Sequence, residues 1–87
     1  MTTSARLKRH AALVDRMAAA RGIDLQETAL RGGLRPSDLS DLVLRCAGCT
    51  QTAHCEDWLT HQMGTVSETP HYCRNARAFR ALAKGSD

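Results

Sequence analysis

Four cysteines are the residues of this chain whose type and spacing could do chemistry. They follow the pattern C-x2-C-x5-C-x17-C, with no other cysteine among the 87 residues, and are Cys46, Cys49, Cys55 and Cys73. Because thiolates are preferred ligands of zinc, iron–sulfur clusters and monovalent copper, this arrangement predicts one shared centre with these four residues as its metal- and cofactor-binding ligands. The alternatives are a redox or disulfide pair formed by Cys46 and Cys49, and four unconnected thiols.

The spacing favours a [4Fe–4S] cluster over zinc. Structural zinc sites usually combine two short C-x2-4-C pairs, whereas this chain has only the pair Cys46 and Cys49. Three cysteines in one loop with a remote fourth are commoner among iron–sulfur proteins, and the C-x2-C-x5-C part is similar to the cluster loop of helical DNA glycosylases of the endonuclease III type. Here the remote cysteine follows the loop, and no glycosylase catalytic motif is present. One Zn²⁺ ion is the alternative cofactor, and copper is a lesser option.

The compartment expected from the sequence is a reducing cytosol. No apolar run approaches the roughly 20 residues that span a bilayer, and Asp15 and Arg16 interrupt the hydrophobic part of any N-terminal export signal. We therefore expect a soluble, cytoplasmic protein without membrane attachment. Clustered cysteines in that compartment are more often metal ligands or redox groups than structural disulfides.

The elements that must position the cysteines are predicted to be short helices. Hydrophobic spacing and capping residues indicate helices over residues 4–21, from Asp24 to about Arg31, from Pro36 to Cys46, from Thr50 or Thr52 to about Gln62, and from Thr69-Pro70 onward. The predicted buried faces are Leu7, Ala11, Val14 and Met17 or Ala18; Leu39, Leu42, Val43 and Cys46; and Tyr72, Ala76, Phe79 and Leu82 or Ala83. With only 3% aromatic residues, the core must consist mainly of Leu, Ala, Val and Met. The prediction is an all-α fold, a compact bundle of four to five short helices with a cysteine-bearing loop that holds a metal centre, in a single domain of residues 1–87.

The predicted helix ends bear on the charge of the site. Cys46 should end the third helix, while Cys55 and Cys73 should lie in first turns, where the helix dipole favours thiolate. Arg45 and Arg74 adjoin ligands in the sequence and could offset the negative charge that remains.

Other residues near the cysteines have less specific roles. Gly48 is expected to let the backbone turn so that amide groups face sulfur. Trp58 and Tyr72 are expected to cover the small core and shield the site from water, and Met17 is expected to be a core residue.

The four histidines are expected to contribute little to the centre. His54 and His71 lie close to cysteines in the sequence and could replace one of them or hydrogen bond to it. His10 and His61 are expected to be solvated or to flank helices. With four cysteines present, a histidine ligand is not needed.

Several short motifs resemble those of a known family. They are Arg45-Cys46-x-Gly48-Cys49, Cys55-x-x-Trp58-Leu59 and Pro70-x-Tyr72-Cys73-Arg74-Asn75, with Gly22-x-Asp24-Leu25 upstream. Together they resemble a family of small bacterial four-cysteine proteins catalogued as a domain of unknown function. The likeness covers most of the chain. It implies that the four cysteines act as one unit, and it brings no established activity.

The function expected from these features is that of a small [4Fe–4S] protein in electron transfer or in redox or oxygen sensing, with a redox or regulatory protein as partner. The alternative is a zinc-stapled interaction module. Nucleic-acid binding is not expected, although basic residues cluster at Arg6, Lys8, Arg9 and Arg16 and at Arg74, Arg77, Arg80 and Lys84, because a four-thiolate centre lowers the formal charge of +3 by two. No catalysis is expected, since nucleophile triads and phosphate-binding loops are missing from the sequence.

Overall fold

The computed structural model describes residues 2–85, and within that range the chain forms five α-helices and no β-strand. The helices are α1 (Thr2–Ala20), α2 (Leu25–Leu30), α3 (Pro36–Ala47), α4 (Thr52–Thr60) and α5 (Ala76–Gly85). The Cα radius of gyration is 12.4 Å, close to the roughly 12 Å expected of a compact chain of this length. The predicted all-α, compact fold is confirmed. Within residues 2–85, each helix is too short or too polar to cross a bilayer.

Helix α1 is the central element of the fold. It packs most extensively against α3 and to a lesser extent against α4. Its buried face consists of His10, Leu13, Val14, Met17 and Ala18. The predicted face was wrong at Ala11, which is exposed, and it omitted the buried His10 and Leu13, while Leu7 is half-buried.

Glycine and capping residues end α1 and begin α2 close to where the sequence predicts. Gly22 has a φ of +76°, and the amides of Gly22 and Ile23 bond back to the carbonyl groups of Ala19 and Ala18 at 2.9 and 2.8 Å. This is a Schellman cap, which only glycine adopts without strain. Asp24 then caps α2 by accepting a hydrogen bond from the Glu27 amide at 3.0 Å, as predicted.

The core is built from aliphatic side chains and one aromatic ring. Phe79 and Leu42 are its largest fully buried side chains. The remaining core side chains in contact with them are Leu13, Val14, Met17, Ala18, Ile23, Leu25, Leu34 and Leu59. Leu39, which the sequence predicts to be buried, is 41% exposed. Trp58 packs against this core and is half-buried, as expected of a covering residue.

Candidate metal centre

One cavity brings the four cysteines together. It lies between α1, the end of α3, the start of α4 and the segment before α5. Its lining comprises Leu13, Val14, Met17, Cys46, Cys49, Thr52, Cys55, Tyr72, Cys73, Arg74, Asn75 and Phe79. All four cysteines are half-buried free thiols. Cysteines that are up to 27 positions apart in sequence therefore line one cavity of about 30 Å³.

The ends of two helices position the first three thiols. Cys46 lies in the last turn of α3, and Cys55 completes the first turn of α4, with its amide bonded to the Gln51 carbonyl at 2.8 Å. Both placements were predicted. Cys49 lies in the loop between the helices, where its Sγ accepts a hydrogen bond from the Gln51 amide at 3.3 Å.

Gly48 does not have the role that the sequence suggests. Its φ is −83°, which any residue can adopt, and a Cβ atom at this position would lie 3.5 Å from the nearest other atom, the Arg45 carbonyl oxygen. The turn that presents an amide to sulfur is formed by the residues that follow Cys49, so a left-handed glycine is not required here.

Cys73 lies outside α5, contrary to the prediction that it occupies a first helical turn. The helix begins three residues later, at Ala76. The reason is geometric: Tyr72, Cys73, Arg74 and Asn75 all line the cavity, and four consecutive residues of an α-helix would point all the way around its axis. An irregular turn, closed by the Cys73 amide and the Pro70 carbonyl at 3.0 Å, is what lets them share one space.

His10 is the site residue that sequence reasoning missed. It was expected to be solvated, yet it is only 4% exposed, and its Nδ1 lies 3.4 Å from the Cys46 sulfur. Burial, followed by the positive charges of Arg6 and Arg9, lowers the pKa of His10, while Glu56 opposes them. A neutral imidazole can donate one N–H to sulfur. The sequence feature that could have predicted its burial is its spacing of three, four and seven residues before Leu13, Val14 and Met17.

The Tyr72 ring, which lines the cavity, contacts two exposed histidine rings. The rings of His54 and His71 lie 5.2 and 5.5 Å from the Tyr72 ring, and both histidines are exposed. Neither lines the cavity, whereas Tyr72 does, which fits the predicted shielding role of the tyrosine. Within residues 2–85, the buried Tyr72 hydroxyl has no hydrogen-bond partner.

The thiols are electrostatically coupled to one another. Burial, together with repulsion from the other cysteines, raises the pKa of both Cys46 and Cys55 to about 11. Burial also raises the pKa of Cys73, although hydrogen bonds from the Asn75 backbone and the Thr69 hydroxyl oppose the shift. Without a cation, the cavity therefore favours neutral thiols over thiolates.

The two arginines expected to offset negative charge have different positions. Arg74 lines the cavity. Arg45 does not, because its Nε donates to the Asn75 side chain at 2.8 Å and its guanidinium lines a separate groove. Arg16 is a further cation near the site, since its charge acts to lower the pKa of Cys55.

The donor set suits a soft, thiophilic group. Four thiols line the cavity, and no carboxylate of residues 2–85 does, whereas hard cations such as Mg²⁺ and Ca²⁺ require oxygen ligands. Across the described residues, no three cysteine, histidine or acidic side chains lie close enough together to hold one metal ion. The four thiols share the lining of the cavity with Tyr72, whose hydroxyl is a hydrogen-bond donor without a partner within residues 2–85.

Comparison with known proteins identifies a family whose function is unknown. The chain belongs to a family described as a family of unknown function, DUF6455, whose model matches residues 1–85. This confirms the resemblance drawn from the sequence. No curated protein and no solved structure matches the chain.

Proposed function

We propose that this member of the DUF6455 family binds a [4Fe–4S] cluster through Cys46, Cys49, Cys55 and Cys73, and that it acts in electron transfer or in redox or oxygen sensing. The observation that carries the proposal is the cavity itself, in which thiols from four segments share the lining with Tyr72, whose buried hydroxyl group has no hydrogen-bond partner within residues 2–85. Buried polar groups normally have partners, and one that has none points to a missing ligand.

The chemistry of the thiols supports a bound centre over a reactive dithiol. A redox-active cysteine usually has a lowered pKa, because the thiolate is the nucleophile. Here the pKa of Cys46 is raised to about 11. A metal centre reverses this preference by binding the thiolates, so loading should release protons.

The arrangement of the sulfurs supports a cluster over a single ion. A tetrahedral zinc site holds its sulfurs about 2.3 Å from one point, and within residues 2–85 the thiols do not converge in that way. A cluster has its cysteine ligands at its corners and therefore needs them further apart. Cys49 and Cys73 lie in a loop and in a turn, from which their side chains can move outward to admit it.

The surroundings of the thiols support a redox role. Such a cluster would supply one-electron chemistry, and its potential would respond to hydrogen bonds on sulfur and to solvent exposure. The His10 ring nitrogen 3.4 Å from Cys46 and the Gln51 amide 3.3 Å from Cys49 are two such donors. The half-buried thiols would let a protein partner or an oxidant approach. With four protein ligands, no position is left for a substrate, so we propose no enzymatic activity.

One observation favours the alternative, a zinc ion that staples a protein-interaction module. The free space among the side chains, about 30 Å³, is close to the volume that one water molecule takes up in the liquid. A single ion needs less outward movement of the cysteines than a cluster does. In that case the centre would stabilise the fold without redox activity.

Metal analysis of protein purified without oxygen and without added metal tests both candidates. The expected result is a brown protein with about four irons and four acid-labile sulfides per chain, which Cys→Ser substitution at any of the four positions abolishes. Substitution of the exposed His54 by Ala is the matched control and should leave the iron content unchanged. A colourless protein with one zinc would refute the cluster and support the zinc-stapled interaction module. Full metal content in all four cysteine variants would refute a shared centre.

A further inference from the structure

A second groove lies beside the cysteine cavity and has a different character. It is lined by Arg45, Arg74, Arg77, Ala78 and Ala81, and its volume is about 420 Å³. We call it the arginine groove. Arg74 also lines the cysteine cavity, so the two sites adjoin. No carboxylate lines the groove in the part of the chain that the structure describes.

One of the three guanidinium groups is held in place by buried structure. Arg45 donates from Nε to the Asn75 Oδ1 at 2.8 Å, and Asn75, which is 3% exposed, donates in turn to the Leu42 carbonyl at 2.8 Å. Because this bond uses only Nε, the two terminal amino groups of Arg45 stay free to bind a ligand. A guanidinium fixed in this way loses less conformational entropy on binding than a mobile one.

The other two guanidinium groups have no internal partner. Arg74 and Arg77 are exposed, and neither forms an ion pair or hydrogen bond with any residue of the described range 2–85. By contrast, Arg9, Arg31, Arg35 and Arg80 are each paired with a nearby carboxylate. Two of the arginines without such a pair therefore line the groove, while a third, Arg16, lies outside it on α1.

The floor and borders of the groove restrict what can fill it. Ala78 and Ala81 are small, so a side chain from outside can approach the helix closely. A neighbouring groove shares Arg45, Ala78 and Ala81 with it and contains Asp38 and Asp41. The positive surface is therefore short and ends at a negative one, which suits a protein surface with a local group of carboxylates better than a long polyanion.

We propose that the arginine groove is a docking site for a carboxylate-rich surface of a protein partner, next to the cysteine centre. Arginine forks pair with carboxylates in a bidentate manner, and complementary charge speeds encounter and fixes orientation. Because Arg74 belongs to both sites, the partner would sit directly beside the thiols. The docking of an acidic surface rests on the arginines alone; its assignment to an electron-transfer partner rests on the proposed function.

Nucleic acid is the less favoured occupant. The groove has no aromatic side chain on which a base could stack, and stacking platforms are the usual complement to a basic groove that binds single strands. The chain as a whole carries a formal charge of only +3. Three arginines that border an acidic surface make few phosphate contacts along a duplex.

The test is fluorescence anisotropy with a labelled hexaglutamate peptide at low salt, using full-length protein as purified. The variant is Arg74→Gln with Arg77→Gln, and the matched control is Lys8→Gln with Arg31→Gln, which removes the same charge from exposed positions outside the groove. We expect the groove variant to bind at least about tenfold more weakly and the control to change by less than about twofold. Binding by the unmodified protein should weaken as salt is added.

Three results would overturn the proposal. They are the absence of hexaglutamate binding, an equal loss in both double variants, and tighter binding of a mixed-sequence oligonucleotide through the same two arginines, which would make the groove a nucleic-acid site. Iron analysis of the same samples separates this proposal from the previous one. Groove-dependent binding by a protein without iron would support acidic docking while refuting the electron-transfer partner.

Discussion

Replacement of Tyr72 by Phe should change the stability of the metal-free and metal-loaded protein in opposite directions. The change removes one hydroxyl group and leaves the ring, together with its contacts to His54 and His71. Within residues 2–85 that hydroxyl is buried without a hydrogen-bond partner. A buried, unpaired polar group costs about 1–3 kcal/mol, so its removal should raise the free energy of unfolding by about 1–2 kcal/mol.

The measurement is urea unfolding of metal-free protein with a reductant and a chelator. With a slope of about 1 kcal/mol per molar for a small domain, the midpoint should rise by about 1–2 M, and the melting temperature by about 4–8 °C per kcal/mol. Thr28→Val is the matched control, because it removes a buried hydroxyl that does have a partner, the Asp24 carbonyl oxygen at 2.8 Å. We expect that control to lose about 1 kcal/mol.

In the loaded protein the sign should reverse. If the Tyr72 hydroxyl donates to a bound thiolate, its loss removes a charge-assisted hydrogen bond of about 1.5–3 kcal/mol, or at least tenfold in metal affinity. Competition with a chelator measures this directly. The reasoning would be refuted if Tyr72→Phe destabilised the metal-free protein as much as Thr28→Val does, because the hydroxyl would then have a partner without any metal.

Three further predictions concern the backbone, the thiols and the link to the arginine groove. Gly22→Ala should cost about 1 kcal/mol because φ is +76°, whereas Gly48→Ala, with φ of −83°, should be near neutral in urea unfolding. In the metal-free protein, alkylation of Cys46 and Cys55 should keep accelerating to about pH 11 instead of levelling off near 9, as followed by mass spectrometry. The metal-free fold should also lose stability between pH 9 and 11, because the unfolded thiols ionise first. An alkylation rate of Cys46 and Cys55 that levels off below pH 8 would contradict the raised pKa of these thiols. Asn75→Ala should cost about 2 kcal/mol in urea unfolding, since it breaks two hydrogen bonds.

The sequence predicted the helices well wherever local signals decide them. Asp24 caps its helix and Gly22 adopts its left-handed conformation because neighbouring residues fix both. The grouping of the four cysteines around one cavity also followed from spacing. That they bind a [4Fe–4S] cluster is still a prediction, which rests on their spacing and on the lining of the cavity.

The errors arose where tertiary packing overrides local preference. Thr69-Pro70 has the chemistry of a helix start, yet α5 begins at Ala76, because the residues from Tyr72 to Asn75 curve around the cavity. His10 looked like a solvated residue because its contact, Cys46, lies 36 positions away. Its helical spacing before Leu13, Val14 and Met17 indicated burial, but the contact with Cys46 exists only after α1 has packed on α3.

The unequal packing of the helices has a consequence for how the molecule opens. Helix α1 packs on α3 and α4, whereas α5 is joined to α4 by a stretch of turns from 61 to 75 and contributes the buried Phe79 to the core. That stretch contacts α1 through the Val66 amide, which donates to the Ala20 carbonyl at 2.7 Å, and it lines the cavity through its last four residues. If a centre is bound in the cavity, its loss would loosen the C-terminal third of the chain first, and release of α5 would expose the core around Phe79. A protein built in this way could report the state of its centre by hiding or presenting α5.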